Sequence, residues 1–233
     1  MAKLILSPNS LPKLRELRCG KAIATAILCC PTNSPRPLET LKGIALSGLD
    51  YDKSFLVGLK QCGGSVRRVE LSGWNDLEDI RRLVECVPRL TWLDVNKHRR
   101  TTEDQESLSS SHGARRYDMS MGRVTVSLGA AVATNVSEWA TILAPLAELT
   151  TFVGIKFFYE VSTLTLSTLT SCSPTLLSAS ELSRVRKNDK VAGVLGNKCL
   201  KLRRLDHWDD TGRVIVLLRD GNEVRWEVKR LKV

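Results

Sequence analysis

Three histidines and seven cysteines are the first candidates for acid-base, nucleophilic or metal chemistry in this chain. His207 is the best placed of the histidines, lying between Asp206 and Trp208 with Asp209 and Asp210 close behind. That composition suits a general base or a metal ligand. A base, however, needs an oriented nucleophile or water, and a metal needs more ligands than this stretch assembles. His98 and His112 fall in a long polar stretch and read as solvated loop residues. The cysteines stand at 19, 29, 30, 62, 86, 172 and 199, with no C-x-x-C pair, so no tetrahedral zinc site is spelled out. G-x-S-x-G, H-E-x-x-H and G-x-x-x-x-G-K-[ST] are all absent, and Gly193-Val194-Leu195-Gly196 follows no strand. The expectation is a protein without catalysis, metal or cofactor.

The elements that must position any binding residues are set by a repeat. Val66-Arg67-Arg68-Val69-Glu70-Leu71 and Leu90-Thr91-Trp92-Leu93-Asp94-Val95 share one apolar pattern 24 residues apart, each preceded four residues earlier by a cysteine. The apolar positions alternate with polar ones as in a strand with one buried face, and 77–87 between them has helical periodicity. One strand and one helix per 20 to 29 residues is the unit of the leucine-rich repeat. Further anchors fall at 14, 41, about 124, 149, 176 and 202. The spacing predicts helices at 21–29, 53–61, 137–146 (with Ser137 as N-cap) and 183–195.

The fold expected is α/β, a single domain over 1–233. It is a curved leucine-rich-repeat solenoid with a parallel sheet on its concave side and helices on its convex side. Residues 97–120 are polar and read as an insertion loop. Strands at 214–218 and 224–228 around Asp220-Gly221-Asn222 read as a hairpin, so that 212–233 caps the last repeat.

Aligned parallel strands present the residues flanking the buried positions in adjacent rows. In the two clearest repeats these are Arg68, Glu70 and Ser72 beside Trp92, Asp94 and Asn96; near the end they are Arg204, Asp206 and Trp208. A Trp with Arg and Asp neighbours has the composition of a protein-binding hot spot. The competing reading is that Trp92 and Trp208 only fill space between repeats. The net charge of +10 and the basic residues after Glu181 raise nucleic-acid binding through the C-terminal third as the alternative. Those cations are scattered without interleaved Phe or Tyr, which disfavours nucleic acid. The apolar run at the start is too short for a signal peptide, and no segment is long enough to span a membrane, so an intracellular protein of cytoplasm or nucleus is expected.

Leu202-Arg203-Arg204-Leu205-Asp206-His207-Trp208-Asp209-Asp210, with Val214 to Leu218, Arg219-Asp220-Gly221 and Val224-Arg225-Trp226-Glu227-Val228 after it, resembles the C-terminal end of fungal F-box-associated leucine-rich-repeat proteins. The stretch Thr150-Thr151-Phe152-Val153-Gly154-Ile155-Lys156-Phe157-Phe158-Tyr159-Glu160-Val161 is similar to a second block of that group. The resemblance implies a repeat region that selects the protein to be ubiquitylated. In that family a separate N-terminal helix bundle docks the ligase adaptor. No Leu-Pro-x-Glu-Leu-like stretch precedes Leu11, so adaptor docking is not expected of this chain alone.

Overall fold

A computed structural model of the chain describes residues 6–95, 135–162, 177–208, 213–221 and 223–230. The insertion expected at 97–120, the strand expected at 124–128 and the anchor at 176 lie outside these residues. Within them the chain is α/β, with five helices and one eight-stranded, mostly parallel sheet. The strands are β1 Glu16–Arg18, β2 Thr40–Ala45, β3 Arg68–Gly73, β4 Trp92–Asp94, β5 Thr151–Val153, β6 Arg204–Trp208, β7 Arg213–Asp220 and β8 Glu223–Arg230. They lie side by side in chain order. Pairing is parallel from β1 to β6 and antiparallel from β6 to β8, so the final two strands form the hairpin that the alternating pattern predicts.

One row of apolar side chains explains this order. Leu17, Leu41, Val69, Leu93, Phe152, Leu205 and Ile215 are partners across successive strands, and all are buried. From Leu17 to Leu205 each is flanked by polar or partly exposed residues, whereas Ile215 follows the buried Val214; the period of two therefore hides one face of the parallel strands and leaves the other to solvent. The hidden face packs on α1 Lys21–Leu28, α2 Leu49–Cys62, α3 Leu77–Cys86, α4 Val136–Leu143 and α5 Ala179–Lys198. Trp74 and Trp139, both fully buried, join the third and fourth helical units edge to face at 5.7 Å, and Trp139 continues onto Phe152 at 5.4 Å. Trp74 also donates its indole N–H to the Val95 carbonyl at 2.8 Å, which satisfies a polar group the core would otherwise strand.

The register corrects two details of the sequence pattern. Leu41 is the partner of Leu17 and Val69, so the position equivalent to Leu14, Val66 and Leu90 is Leu38, three residues earlier than the anchor assigned at 41. The sequence likeness of Leu46-Ser47-Gly48 to Leu71-Ser72-Gly73, which would suggest equivalent positions, is likewise not followed by the ladder, since Leu71 faces Ile44 and Gly73 faces Ala45. Gly43 sits at φ +78°, a conformation L side chains rarely adopt, where the ladder skips from Lys42 to Ile44; the residue β2 gains there is matched by Ser72 before Ala45 meets Gly73.

Helix ends follow local capping chemistry. Helix α4 is capped by Asn135, whose side chain accepts from the Glu138 N–H, two residues before the Ser137 predicted. Helix α5 starts at 179, four residues before the 183 predicted, because Ser178 and Glu181 form a reciprocal capping box. Its far end is held by the hairpin: the Arg219 guanidinium on β7 donates to the carbonyls of Gly196, Cys199 and Leu202 at 3.0, 2.8 and 3.2 Å. Asn188, fully buried in the same helix, exchanges two hydrogen bonds with the backbone of Tyr159 at 2.7 and 2.9 Å and ties the segment after β5 to α5. Among the described residues no helix is long and apolar enough to cross a membrane.

Candidate protein-binding face

The open face of the sheet carries two rows of side chains on either side of the buried central one. The first runs Glu16, Thr40, Arg68, Trp92, Thr151 and Arg204; the second runs Arg18, Lys42, Glu70, Asp94 and Val153. Short parallel strands separated by helices impose this alignment, because each strand offers the residues just before and after its apolar centre. Arg68, Glu70, Trp92, Asp94 and Arg204 are thus on one surface, as the repeat phase predicts. Asp206 and Trp208 continue along β6 opposite Val214 and Arg213, but their side chains, and all of Asn96, lie outside the described residues.

Trp92 is the centre of the first row. The Arg68 guanidinium carbon lies 4.2 Å from its ring centroid and that of Arg204 lies 5.5 Å away, with the buried Thr151 on the strand between Trp92 and Arg204. Both arginines therefore use the electron-rich face of one indole. The indole N–H of Trp92 and the Nε of Arg204 are shielded from solvent and have no hydrogen-bond partner. Arg68 is neutralised by Glu70 at 2.5 Å, and Lys42 by Glu16 at 2.9 Å. The bond and charge of Lys42 hold the Glu16 carboxyl below the usual carboxylate range.

Beside Trp92 the second row opens into a depression of about 320 Å³ lined by Arg18, Lys42, Gly43, Glu70, Leu71, Ser72 and Asp94. Its charge changes sign along the sheet, basic on β1 and β2 and acidic on β3 and β4. Ser72 closes one side by donating to the Gly43 carbonyl at 3.1 Å. Arg18 and Lys42 are site residues that the sequence reading did not single out. Aligning Leu17 and Leu41 with Val69 and Leu93 would have placed both in the same row as Glu70 and Asp94.

The His98 and His112 positions lie outside the described residues, as does the side chain of His207. Among the described residues no three His, Cys, Asp or Glu side chains are grouped to hold a metal ion. Cys62 and Cys86 end α2 and α3 as buried apolar groups, and burial pushes both thiols up. Cys199, after α5, is pushed up to about 11 for the same reason.

No family model, curated protein or solved structure matches this chain.

Proposed function

We propose that the chain is a leucine-rich-repeat recognition module that grips another protein on the open face of its parallel sheet, without catalysis, in the manner of the substrate-receptor repeats of F-box proteins in ubiquitin ligases. One observation carries the reading: Trp92, partly exposed and flanked by Arg68 and Arg204, stands next to a depression of mixed charge. Large aromatic and arginine side chains supply most of the energy of protein interfaces, and alternating charge gives them register. The chain-order sheet, with one strand and one helix in each of its first units, supports a solenoid. The antiparallel β7 and β8 then act as its C-terminal cap, covering apolar edges that would otherwise associate. Such a module works in the cytoplasm or nucleus.

Exchanging two neighbouring residues tests the assignment of faces. Leu93→Ala opens the buried row and should cost about 2 to 5 kcal/mol of stability. Trp92→Ala should leave the unfolding transition much nearer that of the parent while abolishing capture of protein partners from cell extract. Equal destabilisation by the two changes, or capture that survives Trp92→Ala, would reject the reading.

A further inference from the structure

On the open face the cations close to Trp92 are not treated alike. Arg68 has the Glu70 carboxylate, whereas Arg204 makes no hydrogen bond or ion pair with any described residue and lies over the Trp92 ring. The Arg204 side chain is half-buried, and its Nε is shielded without an acceptor while its terminal nitrogens are not shielded. A guanidinium partly withdrawn from water without an anion is unfavourable, and a second guanidinium on the same indole adds repulsion. The Trp92 N–H is a further donor with nothing to bind. Among the described residues the arrangement lacks an acceptor bearing negative charge for Arg204.

We infer that the protein partner supplies this acceptor as a carboxylate, an Asp or Glu side chain docked on the terminal nitrogens of Arg204 beside Trp92; the inference rests on the sheet-face reading above. The planar fork of a guanidinium matches a carboxylate with two parallel N–H to O bonds, and a ring stacked against it limits its rotation before the partner arrives. The neighbouring row decides between an acidic protein segment and a uniformly charged polymer. A nucleic-acid strand laid across the face would bring phosphates onto Glu70 and Asp94, which line the depression beside Trp92. A peptide can place one acidic side chain at Arg204 and neutral or basic ones over those carboxylates. The recognised feature is therefore an isolated acidic residue in a segment of mixed charge.

The test uses a displayed random-peptide library selected on the full chain. The enriched peptides are then made with a fluorescent label and titrated by anisotropy at about 0.15 M salt, where exposed charges are screened beyond about 8 Å. Selected peptides should share an Asp or Glu, and Arg204→Met should weaken them by about tenfold or more. Arg204→Lys should recover only part of the loss, because it restores the charge without the fork. Arg203→Met, an exposed arginine next in the chain, is the charge-matched control and should leave affinity within about twofold. Thermal unfolding of each variant at the parent temperature shows that the fold is kept. Peptides without an acidic residue, lost in Trp92→Ala but not in Arg204→Met, would overturn the carboxylate and leave the face standing. Peptides indifferent to both changes, or no enrichment at all, would overturn both. Arg204-dependent binding of a DNA duplex tighter than that of any selected peptide would assign the arginine to nucleic acid and overturn the inference.

Discussion

The carboxylate of Asp79 turns back over the start of α3 and accepts the backbone N–H of Asn75 at 3.0 Å. Asp52 does the same one unit earlier, accepting the Ser47 N–H at 2.7 Å. Both side chains are almost wholly buried, and each has one cation close by: Lys21 on Asp52, and Arg82 on Asp79 at 3.4 Å. The turn from strand to helix is thus held in two successive units by an acid in the first helical turn, where the helix dipole also favours a negative charge.

These acids do not come free of cost. Burial raises the Asp79 carboxyl above the ordinary aspartate range, opposed by the Asn75 bond and reinforced by the nearby charges of Asp76 and Asp52. A folded-state value above the unfolded one means that the group's contribution to stability is full below the ordinary aspartate range and is lost as pH rises through the raised value. Asp79→Asn keeps an acceptor for Asn75 but does not ionise. The difference in unfolding free energy between Asp79→Asn and the parent should therefore move in favour of the variant from acid to neutral pH. Urea unfolding at both pH values measures it, and a move the other way would contradict the sign.

How far this was legible follows from where each signal sits. The central apolar row could be read at Val69 and Leu93 because alternation within one short strand is local, and so could the hairpin around Gly221. Leu41 reads as the first apolar position of its repeat, three residues out of phase, because Leu38 and Leu41 are both apolar and hydrophobic phase alone does not choose between them; the pairing of Leu41 with Leu17 and Val69 does. Arg68 and Trp92 were placed on one face by counting within repeats. The contact of Arg204 with Trp92 was not, since it reaches across Thr151 from a strand more than a hundred residues away, and only pairing of the folded strands brings the two together.

Close approach between units gives a second prediction, at two adjacent glycines. A Cβ on Gly63, which caps the end of α2, would lie 1.7 Å from the Cys86 carbonyl oxygen at the end of α3, a backbone atom that cannot swing aside. A Cβ on Gly64 meets nothing within 4 Å. Gly63→Ala should therefore cost about 3 kcal/mol or more, at the upper end of the usual penalty for overpacking. Gly64→Ala should stay within about 0.5 kcal/mol of the parent. Chemical denaturation of the pair decides it, and equal stabilities would mean that the two helix ends are not in contact.

The cysteines allow the last prediction, which reads the packing of single units without disturbing it. Only a thiolate attacks an alkylating reagent, so reactivity depends jointly on ionisation and on access. With the Cys199 thiol at about 11, roughly one molecule in a thousand carries the thiolate at pH 8, and the sulfur is buried as well. Cys62 and Cys86 are raised in the same direction by burial against their own helix ends. Cys29 is exposed, its sulfur 3.4 Å from the Ser54 carbonyl. Among the described cysteines, iodoacetamide at pH 8 should therefore label Cys29 first, and Cys62, Cys86 and Cys199 should become reactive together once urea takes the chain through its unfolding transition. Peptide mass spectrometry after timed quenching gives the order. Labelling of Cys199 in the folded protein as fast as Cys29 would mean that the junction between α5 and β6 opens independently, and that Arg219 does not hold it shut.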